Sequence, residues 1–208
     1  ADLLDTPNLV PFDMGGTSTD ISLISSGRAS LSAAGSVAGQ RIALRSLDIA
    51  SIAAGGGSIA RVDAGGTLHV GPESAGAMPG PACYGNGGSA ATVTDANVVL
   101  GRINAERPIG GKLARLDVAA ARDAIATHVA QPLALSVMEA AEAIIRIADS
   151  RMAGAIRLVS IERGHDPAKF AAVPFGFFVA LQGGLLIKDV GLKGAGVPRY
   201  PGVTSALV

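Results

Sequence analysis

A single cysteine, Cys83, stands among 208 residues, so no internal disulfide can form and a disulfide-stapled scaffold is excluded. The N-terminus lacks the basic-then-apolar pattern of a secretion signal, which leaves the cytoplasm as the expected compartment. Net charge is also absent, with Lys plus Arg and Asp plus Glu numbering 17 each. The basic residues are scattered and form no stripe, so nucleic acid is not an expected partner. His69, His128 and His165 lie far apart and give no zinc-ligand spacing. The P-loop pattern is missing, because Gly110-Gly111-Lys112 runs into Leu113 where a hydroxyl residue is required. A G-x-G-x-x-A match at Gly55, Gly57 and Ala60 is followed by IARVDAGGTLHV, a hairpin pattern where a dinucleotide fold needs a helix. The chain has no internal repeat and no charged low-complexity tail. Its one long apolar run, FAAVPFGFFVALQGGLLI, is broken by Pro174, Gly176, Gln182 and Gly183-Gly184. That run reads as a buried strand followed by a turn or short helix, and no membrane span is expected.

What is present is apolar substance and glycine punctuation. Apolar residues make up 49% of the chain, enough for a substantial core. Short apolar or alternating runs at residues 8–12, 20–25, 28–32, 42–47, 59–63 and 67–70 read as strands. DAGGT at 63–67 carries the Gly-Gly of a tight hairpin. Residues 71–92, dense in glycine and proline, read as a long ordered loop. Helical character follows. Thr94 or Asp95 is the expected cap of a short helix through Leu100, and Asp117 caps VAAARDAIATHVA. Ser136 and Glu139 form the S-x-x-E box of a long helix to about Val159. Along it Val137, Ala141, Ile144, Ala148, Met152, Ala155 and Val159 recur at three and four residues, an apolar stripe read as core. Cys83 reads as a small buried thiol.

The stretch FDMGGTSTDISL at 12–23 is chemically distinctive. A strand running into Asp13 and then Gly15-Gly16-Thr17 delivers a carboxylate at its end. The glycines let the backbone turn tightly and approach an anion without a Cβ. Thr17, Ser18 and Thr19 add hydroxyls. Asp13 and Asp20 suit a hydrated magnesium ion, which keeps several waters and takes one or two carboxylates, or they orient water. An ordinary hairpin with a Gly-Gly turn fits the same spacing.

FDMGGTSTDISLI, AGGGSIARVDAGGTLHVGPESAGAMPGPACYGNGG, TVTDANVVLGRI, MAGAIRLVSIERGHDP and VPRYPGVTSAL together resemble the hydantoinase A and oxoprolinase family, in that family's order. The resemblance implies an α/β fold, one lobe of an actin-like ATPase of the sugar-kinase and chaperone type. In that group two Asp-Gly hairpins grip ATP between two lobes, and 12–23 is similar to the second. A mixed sheet is expected from the first seventy residues and strand 171–175, packed by the helices of 93–159. The whole chain, 1–208, is then one lobe: strand-rich over 1–92, helical over 93–160, and returning to the sheet over 161–208. Family members, or the complexes they join, use ATP to open a cyclic amide such as a hydantoin or 5-oxoproline. Close relatives are acetone carboxylase subunits.

The resemblance implies ATP and Mg2+ as cofactors and a small cyclic amide as substrate. It assigns Gly15, Gly16, Thr17 and Thr19 to phosphate contacts, and Asp13 or Asp20 to metal or water, with Asp13 favoured for the metal. Gly55, Gly56 and Gly57, with Ser58, either add backbone N–H groups or form a turn. Asp63, Glu73 and Asp95 read as surface caps and turn residues, and Arg163 with Asp166 as an ion pair shaping a loop. Two departures stand out. FAAVPFG continues into FFVALQGG where relatives carry the glycine turn that holds adenosine, so Phe177 and Phe178 place bulk there. Only one Asp-Gly hairpin occurs, so a fragment is expected, needing a first ATPase lobe and a hydantoinase B-type subunit. A catalytically silent, partner-binding lobe is the rival reading, and a sugar-kinase-like phosphotransferase would not share PESAGAMPGPACYG.

Overall fold

Val10, Phe12 and Met14 alternate along one strand and are all buried, so a period of two turns this face into the core and leaves Asp13 on the other. The computed structural model describes residues 6–32, 35–37, 40–42, 44–108, 113–176 and 179–206. The strand is β1 (Leu9–Met14), and it pairs antiparallel with β2 (Thr19–Ile21), which in turn pairs with β3 (Ala50–Ile52). Two further strands, β4 (Ser58–Val62) and β5 (Leu68–Ser74), form a hairpin, and β6 (Ala171–Phe175) returns to lie parallel to β1 on its free side. A short β7 (Gly194–Ala195) extends the sheet, whose order is β7-β6-β1-β2-β3 with the small strands Ile24–Ser25 and Arg28–Ala29 attached at β1. The sheet is therefore mixed, as expected.

The β4–β5 hairpin corrects one expectation. It is a separate two-stranded ribbon rather than part of the main sheet, joined to the helical layer by a bridge between Ile59 and Thr92. Asp63 makes its turn, accepting from Gly65 N and Thr67 N, both at 2.9 Å, and pairing with His69 Nε2 at 2.6 Å. These bonds, led by that from Thr67, hold its carboxyl below the usual range. The glycine-rich 71–92 segment is also more ordered than a loop, since β5 runs on to Ser74 and Ala82–Tyr84 forms a 3-10 turn.

Among the described residues the longer helices are α1 (Val93–Val99), α2 (Val118–Ile125), α3 (Val137–Ser160) and α4 (Val179–Val190); α3 and α4 pack on the sheet, and α1 and α2 on α3. Asp117 caps α2, and the Ser136/Glu139 box caps α3. The expected stripe of α3 is buried apart from half-buried Val137, and Ala140, Ile145, Ala153 and Ile156 widen it. At α1 the cap is Thr92, in extended conformation with φ of −130°, and Asp95 is its third residue. Asp95 is not on the surface: it is fully buried and accepts from Cys83 N at 2.8 Å and Thr92 N at 3.0 Å, tying the 82–84 turn to the helix. The buried Cys83 thiol is held well above its ordinary pKa by desolvation and then by the Asp95 charge, consistent with inert packing. Arg163 pairs with Asp48 and not with Asp166, which instead caps the Pro167–Lys169 turn. The 170–187 run becomes β6 and α4, and among the described residues no helix is long and apolar enough to cross a membrane. Phe177 and Phe178, the suspected obstruction at the adenosine turn, lie outside the described residues.

One buried acid has no hydrogen-bond partner. Both oxygens of Asp149, on the inner face of α3, are unpaired, and burial pushes its pKa up to about 7, with Arg102 opposing the rise and Asp189 adding to it. A carboxyl raised in the folded state binds a proton that the unfolded chain releases near 4. Its contribution to stability is therefore fully present below about pH 4, falls as pH rises through 7, and is flat above. Asp149→Asn is expected to raise the melting temperature by about 5 °C at pH 8 and to leave it nearly unchanged at pH 4.5, read by calorimetry.

Candidate functional site

The β1–β2 hairpin sets the two opening acids face to face. Asp13 and Asp20 are register partners across the antiparallel pair, so seven residues of sequence become a single cross-strand step. Opposed residues of this kind hold their Cβ atoms about 5 Å apart on one face. That face is turned from the core: Phe12 and Met14 are buried on the other side, while Asp20 is exposed. The connection Gly15–Ser18 closes with Gly15 N donating to Ser18 O at 3.0 Å, and Gly16 and Thr17 form its exposed tip. Because β1 and β6 run parallel, Asp13 also lies at the carboxyl ends of both strands, where open α/β sheets bind ligands. Gly176 ends β6 with φ of 92°, and a Cβ there would collide with the Asp13 carboxylate and the Met14 backbone. A left-handed glycine thus lets the second strand end close against the acid.

The glycines of the tip follow a different rule. Neither Gly15 nor Gly16 has positive φ, and a Cβ on Gly16 would meet nothing within 4 Å. The fold itself makes no demand for glycine at 16, and what glycine leaves there is open space above exposed backbone.

Thr19 and the second glycine run correct the expected contacts. Thr19 is buried, and its hydroxyl donates to Ala54 O at 2.6 Å and lies 3.8 Å from Met152 Sδ of α3, so its side chain faces inward and holds the hairpin to the helix. Gly55, Gly56 and Gly57 are all buried. Gly55 N donates to Ser58 Oγ at 2.9 Å, Gly56 N to Gly15 O at 3.1 Å and Gly57 N to Gly16 O at 2.6 Å. Their N–H groups are committed within the protein, which leaves them as a brace under the 15–18 turn rather than as anion donors. A Cβ on Gly55 would come within 2.7 Å of Gly16 C and Thr17 N. Thr94 secures the brace from α1, donating to Gly56 O through both N and Oγ1 at 2.8 Å.

The structure therefore brings together Asp13, Asp20, Gly15, Gly16, Thr17 and Ser18, and moves Thr19 and Gly55–Gly57 beneath them. Sequence reasoning did not place Gly176, Thr94 or Met152 at this site. Gly176 alone carried a local signal, a glycine closing an apolar strand. Among the described residues no three His, Cys, Asp or Glu side chains cluster as a metal cage. Two opposed carboxylates suffice for magnesium, which keeps most of its waters.

Mixed sheet, hairpin and covering helices define one lobe of an actin-like ATPase fold. The chain belongs to the hydantoinase/oxoprolinase family, whose sequence profile matches residues 1–208. It is 44% identical over 192 residues to the caprolactamase subunit alpha of Pseudomonas jessenii, covering 92% of this chain and 27% of that one. It is 43% identical over 178 residues to the acetophenone carboxylase gamma subunit of Aromatoleum aromaticum, covering 85% and 24%. The crystal structure of the ATP-dependent caprolactamase from Pseudomonas jessenii superposes with a TM-score of 0.91 at 41% identity, over 99% of this chain and 30% of that one. The chain thus spans about a quarter of the length of these relatives.

The brace is testable without any ligand. Gly55→Ala is expected to destabilise the protein by about 2 kcal/mol in urea denaturation, because the clash is with backbone that cannot rotate away. Gly154→Ala, where α3 leaves a Cβ open space, is expected to stabilise by about 0.5 kcal/mol.

Proposed function

We propose that this lobe holds the terminal phosphates of ATP in a hydrolase that opens cyclic amides of the hydantoin, 5-oxoproline or lactam type. The observation that carries the reading is the pair Asp13 and Asp20, opposed beside an exposed glycine tip at the carboxyl ends of parallel strands. Like charges directly opposed repel, and a hydrated divalent cation between them and the phosphates removes that repulsion. The room above Gly16 suits a phosphate oxygen approaching the backbone. The family and the ATP-dependent caprolactamase relative support the same choice of nucleotide and substrate class.

A ring amide is a poor electrophile. Transfer of the γ-phosphoryl group to its oxygen would form a new P–O bond as the bond to ADP breaks; water would add to the activated carbon, the ring C–N bond would open with nitrogen taking a proton to leave an acyl phosphate, and a second water would hydrolyse that acyl phosphate to the carboxylate and inorganic phosphate. The lobe's own contribution is positioning and charge neutralisation. Gly16, Thr17 and Ser18 would orient the phosphates by backbone N–H and hydroxyl donors while Gly15, whose N–H is held by Ser18 O, closes the turn, and Asp13, with Asp20, would hold a magnesium ion or orient the attacking water. Gly55–Gly57 and Thr19 keep the tip from yielding as charge shifts. The missing opposing contacts come from a first ATPase lobe, and a hydantoinase B-type subunit completes ring opening, in keeping with relatives that are themselves subunits. The acetophenone carboxylase relative favours a second reading, in which the same phosphate grip serves a ketone acceptor.

The test uses the complete protein with caprolactam, 5-oxoproline and hydantoin, following ADP and ring-opened acid together. Asp13→Asn is expected to lower magnesium-dependent turnover by about 100-fold or more, with its melting temperature nearly unchanged. Gly16→Val is expected to weaken ATP binding about tenfold with normal stability, since its side chain fills only the open space. Normal ATP affinity in a folded Gly16→Val protein removes the phosphates from this turn.

A further inference from the structure

We infer that Gly57 is a positioning residue that registers the Ser74–Gly80 segment on the 15–18 turn, so that a ligand seated on the turn is felt in that segment. The inference rests on the phosphate reading for the identity of the ligand, and on backbone geometry alone for the link.

Three stretches distant in sequence are stacked by consecutive main-chain bonds. Gly57 N donates to Gly16 O at 2.6 Å, and on its other side Gly57 O accepts from Ala75 N at 2.9 Å. One residue therefore bonds to both segments, its N–H to the 15–18 turn and its carbonyl to Ala75. The contact leaves no slack. A Cβ on Gly57 would stand 2.9 Å from Ser74 Oγ and 3.0 Å from Gly16 O, pressing on both neighbours at once. Ser74 Oγ is itself engaged, accepting from Gly76 N at 3.2 Å, and Gly80 N closes the segment on Ala75 O at 3.2 Å. A shift of the 15–18 turn that moves Gly16 O thus moves Gly57, then Ala75, and through Ala75 the closure at Gly80. The segment ends in an exposed tip, Ala77, Met78 and Pro79, with Met78 78% exposed, so the displacement reaches solvent where a second reactant or subunit can meet it. Coupling between the two places is reciprocal: whatever fixes the tip also fixes the turn.

Amide hydrogen exchange in the complete protein reads the link directly. With the β,γ-imido analogue of ATP and magnesium chloride, the amides of Ala75 and Gly80 in the wild-type protein are expected to exchange at least about threefold more slowly. In Gly57→Ala that slowing is expected to vanish, and adding Ser74→Gly, which clears the nearest side-chain atom, is expected to restore part of it. Gly154→Ala retains the wild-type response. A second variant needs no nucleotide: Ala75→Pro removes the N–H donated to Gly57 O and is expected to speed exchange of the Gly56 and Gly57 amides about tenfold. Unchanged exchange at Gly56 and Gly57 in Ala75→Pro overturns the positioning role. So does an analogue that binds the wild-type protein and leaves Ala75 and Gly80 unmoved. An analogue that fails to bind, by calorimetry, overturns the phosphate reading instead, and the Ala75→Pro comparison still decides the link. Should Gly57→Ala fail to fold, the wild-type response and Ala75→Pro carry the decision.

Discussion

Backbone packed directly on backbone, Gly55–Gly57 under Gly15–Gly16, is the constraint on which the rest of the lobe depends. At van der Waals distance between main chains no side chain fits at Gly55 or Gly57, and the N–H groups of Gly56 and Gly57 find their partners in the upper run. Everything that touches the brace inherits its position. Thr94 brings α1 to Gly56, Ser58 starts the β4–β5 ribbon beside Gly55, and Thr19 ties the hairpin to Ala54 and to Met152 of α3. Sheet, ribbon and helix layer therefore meet at one small, buried, glycine-lined point, which bonds the Gly15 and Gly16 carbonyls of the exposed tip from beneath.

The acids show how one residue type is set in four different surroundings. Asp13 and Asp20 are opposed across a strand pair on the face turned from the core, which suits a cation and phosphates. Asp95 is buried but saturated with donors from Ala82, Cys83 and Thr92, and serves as a peg for the 82–84 turn. Asp63 shapes an exposed hairpin turn with His69. Asp149 is buried with neither oxygen paired, and its raised pKa follows from that desolvation. Spacing in sequence distinguishes none of these from the others; environment does.

The family relationship sharpens the division of labour. Relatives of which this chain covers about a quarter are described as acting on a lactam in one case and as an acetophenone carboxylase subunit in another. The proposed phosphate grip, with the acceptor left to other parts of the assembly, is compatible with both, since function resides in sites carried by a fold rather than in the fold. The Ser74–Gly80 segment is where the present lobe reaches outward from its braced turn, and its exposed apolar tip contrasts with the buried glycines that hold it.

Much of this was legible in the residues themselves. The strand entering Asp13, the caps at Asp117 and Ser136, the buried stripe of α3 and the strand at 171–175 all follow from local rules of periodicity and capping, which need only neighbours in sequence. The acids of FDMGGTSTD also announced themselves, because a hairpin with a four-residue connection brings residues seven apart into register. Beyond the reach of sequence were the partners across long separations. Whether AGGGS donates to a ligand or to the chain depends on whether another backbone lies against it, and that backbone is 40 residues away. Thr19 reads as one of three equivalent hydroxyls until the pleat turns it inward onto Ala54. Asp95 looks like a surface cap until the 82–84 turn closes over it. Arg163 has an acid three residues on, yet it meets Asp48, which the fold brings from the far side of the chain. Local chemistry sets which conformations each segment favours. Only the tertiary structure decides which hydrogen-bonding groups are left facing water, because that depends on what the rest of the chain has already covered.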